Sequence, residues 1–310
     1  MKIALLLHFY QPYNQQEDIL ARIVNESYLP LTEGLLVRPR AKLTVNITSS
    51  LVELLLNTGH SRVVENIKTL AQRGQIELTG SAKYHAFLPL LPETEAIRQI
   101  EQNQEANEKI FGPACCNKVG FFTPEMAVSN EILSIVAKEG YTWMSVPQVA
   151  FMGGVPSAQK IYEDEKTGVK LFFRNKRVSS LILSGVCRSA EDLIKETRDI
   201  HDDIYWFTVM DAETFGHHRI GHEKFLFEIM DNAFFEPVTV SDLLSTSLEV
   251  VRTSIRPSTW TNEEQDFWLD REKTQFSSAK SFILWKDPEN PIHALQWELT
   301  NYAINEVNSA

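Results

Sequence analysis

Short apolar runs alternate with amphipathic stretches along most of this 310-residue chain. The runs at 3–7, 43–47, 75–79, 118–123, 142–146, 169–174 and 204–210 read as strands, and 238–241 as a further short one. Between them, apolar residues recur at helical spacing over 49–57, 62–73, 93–109, 130–138, 190–200 and 223–232. Strands that are apolar at nearly every position are covered on both faces, as in parallel sheets flanked by helices. The alternation therefore predicts an α/β fold of β/α units. Seven or eight strands within roughly 240 residues favour a barrel over a doubly wound open sheet. No repeat or low-complexity linker interrupts the pattern.

The last part differs. From 256 to 291 the chain is rich in Trp, Asp, Glu and Pro, and reads as a long irregular segment followed by a helix over 292–307. The expected organisation is a catalytic barrel over 1–250, with a C-terminal loop and helix over 251–310 packed on it.

The polar residues cluster where strands end. His8 and Gln11 follow the first strand. Glu77 lies in the third, and GSAKYHAFLP follows it, carrying His85. Thr123, Pro124 and Glu125 close the fourth, and Asp211 closes the seventh. In a β/α barrel the C-terminal strand ends converge on one face, and that face carries the chemistry.

Composition narrows the partners. Hydrophobic residues are 43% and charged residues 23%, an ordinary globular balance. The net charge of −11 argues against nucleic acid or an anionic membrane, both of which reward basic surface. Three cysteines, Cys115, Cys116 and Cys187, form no disulfide framework and no C-x-x-C pattern. The opening apolar run is too short for a signal peptide, and no run reaches membrane-spanning length. A cytoplasmic location is expected. Oligomeric state has no signature here.

Glu125 and Asp211 suit paired-carboxylate chemistry, in which one carboxylate attacks and the other carboxyl donates a proton. Alone, Glu125 reads as a helix-start residue and Asp211 as a turn cap. Placed together at equivalent ends of two barrel strands, they read as catalytic. The histidines of MDAETFGHHRIGHE raise a metal alternative. His218 and His222 do not form H-E-x-x-H, and Gly216 and Gly221 break any helix between them. A metal site assembled from His8, Asp211 and His217 would instead suit a metal-dependent carbohydrate deacetylase or mannosidase-like enzyme. A non-catalytic carbohydrate-binding protein is the second alternative.

These residues resemble glycoside hydrolase family 57, the group of α-amylases, 4-α-glucanotransferases and α-glucan branching enzymes. HFYQP (8–12), GQIELTG (74–80), GFFTPEMA (120–127) and MDAETFGHH (210–218) are similar to four family motifs, in family order. The resemblance implies an incomplete (β/α)7 barrel and a retaining double displacement on α-glucan-type oligo- or polysaccharides, with no metal or other cofactor. Glu125 would be the nucleophile and Asp211 the general acid/base. His8, Gln11, Glu77, His85 and His217 would line the donor subsite. Tyr10 stands where the family often has a second His, and would bind substrate too. Trp260 and Trp268 would offer sugar-stacking faces. His218 stands where branching enzymes often carry an aromatic residue, and only about 100 residues follow the fourth motif, where family members carry a longer helical region.

Overall fold

The computed structural model describes residues 1–265 and 281–309. Its strands are β1 (Lys2–Phe9), β2 (Leu43–Ile47), β3 (Ile76–Leu78), β4 (Gly120–Phe121), β5 (Trp143–Val146), β6 (Lys160–Asp164), β7 (Lys170–Phe173), β8 (Tyr205–Asp211), β9 (Glu236–Val238) and β10 (Glu249–Thr253). One sheet runs β3-β2-β1-β8, with β9 also paired to β1; the other runs β10-β6-β7-β5-β4. Every pairing is parallel except β6 with β7.

Backbone bonds join the two sheets into one curled wall. Gly80 N–H donates to Gly120 O (2.8 Å), and Phe122 N–H to Gly80 O (3.0 Å). At the other seam Asn175 N–H donates to Phe207 O (2.7 Å) and the Arg174 guanidinium to Val209 O (3.0 Å). Strands β1, β2, β3, β4, β5, β7 and β8 thus follow one another around an incomplete seven-stranded barrel. The glycines at the first seam are there for clearance. A Cβ on Gly80 would meet the Tyr141 hydroxyl at 2.3 Å and its ring at 2.4 Å, and one on Gly120 the Trp143 ring at 2.0 Å.

Strand periodicity sorts the side chains. In β1, Ile3, Leu5 and Leu7 join the layer under the helices, while Ala4 and Leu6 pack with Phe122, Trp143, Phe207 and Val209. The same parity puts Thr44 and Asn46 of β2 on the inner face, and Leu43, Val45 and Ile47 outside. His8 and Asp211 therefore continue the inner columns of β1 and β8 at their C-terminal ends.

Most expected elements are present with boundaries moved by a few residues. The helices Ser49–Asn57 and Asn130–Lys138 match the sequence reading, and 93–109 extends to Glu93–Phe111. The run at 238–241 divides: β9 ends at Val238, and Thr239 caps the helix Val240–Leu244 through a reciprocal capping box with Asp242. Strand β6, the edge strand β10 and the helical stretch Glu17–Leu36 were not foreseen. Strand β10 spans the expected domain boundary, and bridges from Val128 to Ser258 and from Phe151 to Ile255 hold the following segment against the barrel. Further on, Trp285 stacks on Phe87 at 4.3 Å, and the helix Pro291–Ser309 buries none of its residues. No helix among the described residues is long and apolar enough to cross a membrane.

Candidate active site

The site is built from strand ends. In the β1–β8 register His8 lies directly opposite Asp211, and in the β1–β2 register it lies opposite Asn46. His8 Nδ1 is 2.6 Å from Asn46 Oδ1, and its Nε2 is 3.1 Å from Nε2 of His85. The Asn46 amide nitrogen donates to Thr79 Oγ1 (2.9 Å), so its oxygen must accept from His8. His8 consequently carries its proton on Nδ1, and His85 donates to His8 Nε2. Burial pushes the His8 imidazole down to about 4 and that of His85 well below its ordinary value. Both rings are neutral at pH 7. Tyr10 stacks on His85 with centroids 3.8 Å apart, and Phe122 stacks on His8 at 4.7 Å.

Glu125 sits on a tight turn after β4. Its φ of 60° and that of Met126, 46°, are both left-handed. Such geometry at a non-glycine residue costs about 1–3 kcal/mol and collects at functional sites. The turn is closed by Met126 N–H to Thr123 O (2.9 Å) and Ala127 N–H to Pro124 O (3.0 Å). Trp260 Nε1 donates to Glu125 Oε2 at 2.9 Å. The indole is delivered there by the paired backbone bonds between Val128 and Ser258. Its edge also faces His8, with centroids 6.3 Å apart. The Tyr10 hydroxyl is raised first by burial and then by the Glu125 charge, which places the phenol in the same field. Glu125, Trp260, Tyr10 and His8 thus form one continuous cluster, and Asp211 stands beside it as the register partner of His8.

On the Asp211 side, the turn Ala212–Thr214 buries Glu213. Glu213 accepts from the Tyr28 hydroxyl and from Gln11 Nε2 (2.9 Å). Burial raises its carboxyl to about 7, the Tyr28 bond opposes that rise, and the Asp211 charge adds to it. Between the ordinary value of 4.5 and about 7, the folded state holds a proton that the unfolded chain releases. Stability therefore falls as pH rises through that window. Glu213→Gln lacks this proton. Its stability relative to wild type is expected to improve, on the order of 3 kcal/mol, between pH 4.5 and 7.5 in paired thermal melts. A pH-independent difference would contradict the assignment.

His217 Nδ1 lies 2.6 Å from Glu26 Oε2. Glu77 is placed apart from the rim set. It pairs with Thr44 in the register, one inner layer below Asn46 and Thr79, and its carboxyl accepts from Thr44 Oγ1 (3.0 Å) and Ser241 N–H (3.4 Å). Burial raises its pKa. Gln11 is turned to Glu213. Arg174 is buried with its guanidinium on the β8 backbone. Trp268 lies outside the described residues.

Sequence reasoning gave no role to Asn46, Glu213, Tyr28 or Glu26. Asn46 was within reach, since inner-face parity marks it at the end of β2. Glu213 lies within MDAETFGHH, two residues after Asp211. Tyr28 and Glu26 carry no signal of their own, because they lie in a stretch not read as an element.

The metal alternative requires a free ligating atom on each histidine; His8 does not offer one, whereas His217 keeps its Nε2. Both nitrogens of His8 are engaged, and His217 Nδ1 is engaged by Glu26. Among the described residues no group of three or more His, Cys, Asp or Glu is arranged to hold a metal ion.

An incomplete parallel β/α barrel with two rim carboxylates amid aromatic rings and neutral histidines defines the class. The chain belongs to glycosyl hydrolase family 57, whose model matches residues 5–254. It is 25% identical over 148 residues to alpha-amylase 1 of Dictyoglomus thermophilum, a match covering 48% of this chain and 21% of that protein. Against the 4-alpha-glucanotransferase of Thermococcus litoralis it is 22% identical over 156 residues, 50% of this chain and 23% of that one. The chain thus matches less than a quarter of the length of these relatives. In fold it is similar to the crystal structure of the Thermococcus litoralis 4-alpha-glucanotransferase, with a TM-score of 0.73 and 19% identity over 86% of this chain and 43% of that one. A branching enzyme of Pyrococcus horikoshii gives a TM-score of 0.69 and 17% identity, over 84% and 73% of the two chains. These structural likenesses show a shared fold.

Proposed function

We propose that this protein cleaves or transfers α-glucan-type oligo- or polysaccharides by a retaining double displacement. Glu125 attacks the anomeric carbon and Asp211 protonates the departing oxygen, then activates water or an acceptor sugar. The observation that carries this reading is the strained Glu125 turn, whose carboxylate is aimed by the Trp260 indole toward the cluster containing His8, the register partner of Asp211. Family membership and the amylase and glucanotransferase relatives support the substrate class.

The residues around the carboxylates have defined tasks in this reading. The indole N–H of Trp260 lowers the cost of charge on Glu125 and fixes the direction of its oxygens. The Tyr10 hydroxyl and the Nδ1 of His85, whose ring is oriented by its bond to His8, both uncharged, offer hydrogen bonds to sugar hydroxyls without competing for the reacting proton. A neutral polar wall also leaves the two carboxyls as the ionisable groups that exchange protons with substrate.

The test is product analysis with maltooligosaccharides, with and without EDTA, beside Glu125→Gln and Asp211→Asn. Shortened or redistributed chains should survive EDTA and be lost in Glu125→Gln. Asp211→Asn should lose natural substrates by about 10³-fold or more, yet keep most of its first step on glucosides with good leaving groups, which need little protonation. Equal loss on both substrate types would contradict the acid/base role, and loss to EDTA would favour the metal-dependent alternative.

A further inference from the structure

The helical stretch that carries Glu17–Leu36 contains one turn of unusual build. Val24–Tyr28 is a π-helical turn between the α-helices Glu17–Ile23 and Leu29–Leu36. Single π turns inside α-helices insert an extra residue at a cost in regular bonding, and they collect at functional sites. Here the turn grips the segment that follows β8 at several points. Glu26 meets His217 through its carboxylate, at 2.6 Å from Nδ1. Ser27 Oγ donates to Ala212 O at 2.9 Å. The Tyr28 hydroxyl donates to Glu213. The backbone of Glu26 is so close to Gly216 that a Cβ there would stand 1.9 Å from Glu26 O. Three consecutive side chains of the turn therefore reach one segment, 211–217, that begins with Asp211.

We propose that this π turn is the positioning element for the acid/base side of the site, with Glu26 acting through His217 and Tyr28 acting through Glu213. The inference rests on the reading that Asp211 and His217 serve a sugar-processing site. The Glu26 carboxylate can only accept, so His217 must present its Nδ1 proton to it. In the neutral ring this leaves Nε2 as an acceptor facing away from Glu26, ready for a substrate hydroxyl. Arg22 donates to the same carboxylate at 2.9 Å, and together Arg22 and His217 hold it below the ordinary carboxylate range. Glu26 thus stays ionised and keeps one acceptor geometry. Tyr28 is fully buried, so its bond to Glu213 holds the residue two positions from Asp211 in a fixed place.

Glu26→Ala, Glu26→Gln and His217→Ala, the Glu26→Ala/His217→Ala double variant and Tyr28→Phe together test this. His217→Ala and Glu26→Ala should each lower kcat/KM on maltooligosaccharides about tenfold to hundredfold, the range for losing a hydrogen bond to a charged group. The double variant should be no worse than His217→Ala alone, because Glu26 has no other route to the substrate. Glu26→Gln should recover most of the loss, since its amide oxygen still accepts from Nδ1. Tyr28→Phe should lower kcat more than it raises KM, with its melting temperature recorded beside it. Imidazole ¹⁵N NMR at pH 8, with the His217 signals identified by their loss in His217→Ala, supplies a readout that does not need turnover. Wild type should show the proton on Nδ1, and Glu26→Ala should release it to Nε2. Additive losses in the double variant, or a His217 tautomer indifferent to Glu26→Ala, would overturn the proposal. A wild type inactive on every glucan tried would overturn the functional reading instead, while the NMR result would still decide whether Glu26 fixes His217.

Discussion

Replacing Glu125 with Gln is expected to lower turnover of maltooligosaccharides by at least about 10⁴-fold, the scale seen when a covalent nucleophile is removed. The substitution is nearly isosteric. The Trp260 indole can still donate to the amide oxygen, so the left-handed turn keeps its main side-chain contact. Fold and glucan binding should therefore persist while bond formation to the anomeric carbon stops. The check is a pair of measurements on one preparation: steady-state rates, and binding of an unreactive oligosaccharide by calorimetry. Weak binding together with a modest rate loss would mean that Glu125 holds substrate rather than attacking it.

The second large effect is expected from Gly216→Ala. Gly216 has a φ of +115°, where a side chain is strained, and a Cβ would stand 1.9 Å from the Glu26 carbonyl oxygen. Backbone atoms on both sides must then move. Strain and overpacking of this kind together cost about 3 kcal/mol or more. For a chain of this size each kcal/mol lowers the melting temperature by about 2–4 °C, so a fall of roughly 10 °C is expected. Activity should fall further than folding explains, because the displaced backbone carries His217 on one side and Glu26 on the other. A melting temperature unchanged within about 2 °C would show that the two segments are not in close contact.

Much of this architecture is written in the spacing of apolar residues. The strand 204–210 stands out because it is apolar at nearly every position, and 43–47 because Leu43, Val45 and Ile47 alternate with Thr44 and Asn46; the structure places them as β8 and β2 of the barrel wall. Strand parity then carries His8 and Asp211 to the inner face, and their neighbouring registers bring them side by side. The inward facing follows from periodicity alone, whereas the register comes from strand pairing. The edge strand β10 was not legible, since Glu249, Val250 and Arg252 are exposed and leave no long apolar run. The strand expected over 118–123 shrinks to Gly120–Phe121, although Phe122 beyond it is buried among the lumen side chains and bonds to Gly80 at the seam.

The site shows the same division. Residues at strand ends could be found from position, including Glu125, Asp211 and His85. Glu77 illustrates the limit of that reasoning. Its position within β3 puts it on the inner face, but a layer lower, where Thr44 and Ser241 meet it. Depth along a strand depends on register, and register is set by pairing across the chain. Trp260 is the opposite case: a tryptophan from an irregular stretch becomes a partner of Glu125 only because two backbone bonds between Val128 and Ser258 bring it over the rim. The π turn was illegible for a similar reason, since one inserted residue in a helix leaves almost no trace in the periodicity.

The most direct test of the central claim is capture of the glycosyl-enzyme. Asp211→Asn treated with α-maltosyl fluoride should react at Glu125, because fluoride leaves without a proton, and should then stall for want of a base. Intact mass spectrometry should show the addition of one maltosyl unit, and peptide mapping should place it on Glu125. An adduct on another residue, or release of a product of inverted configuration with no adduct, would contradict the double displacement.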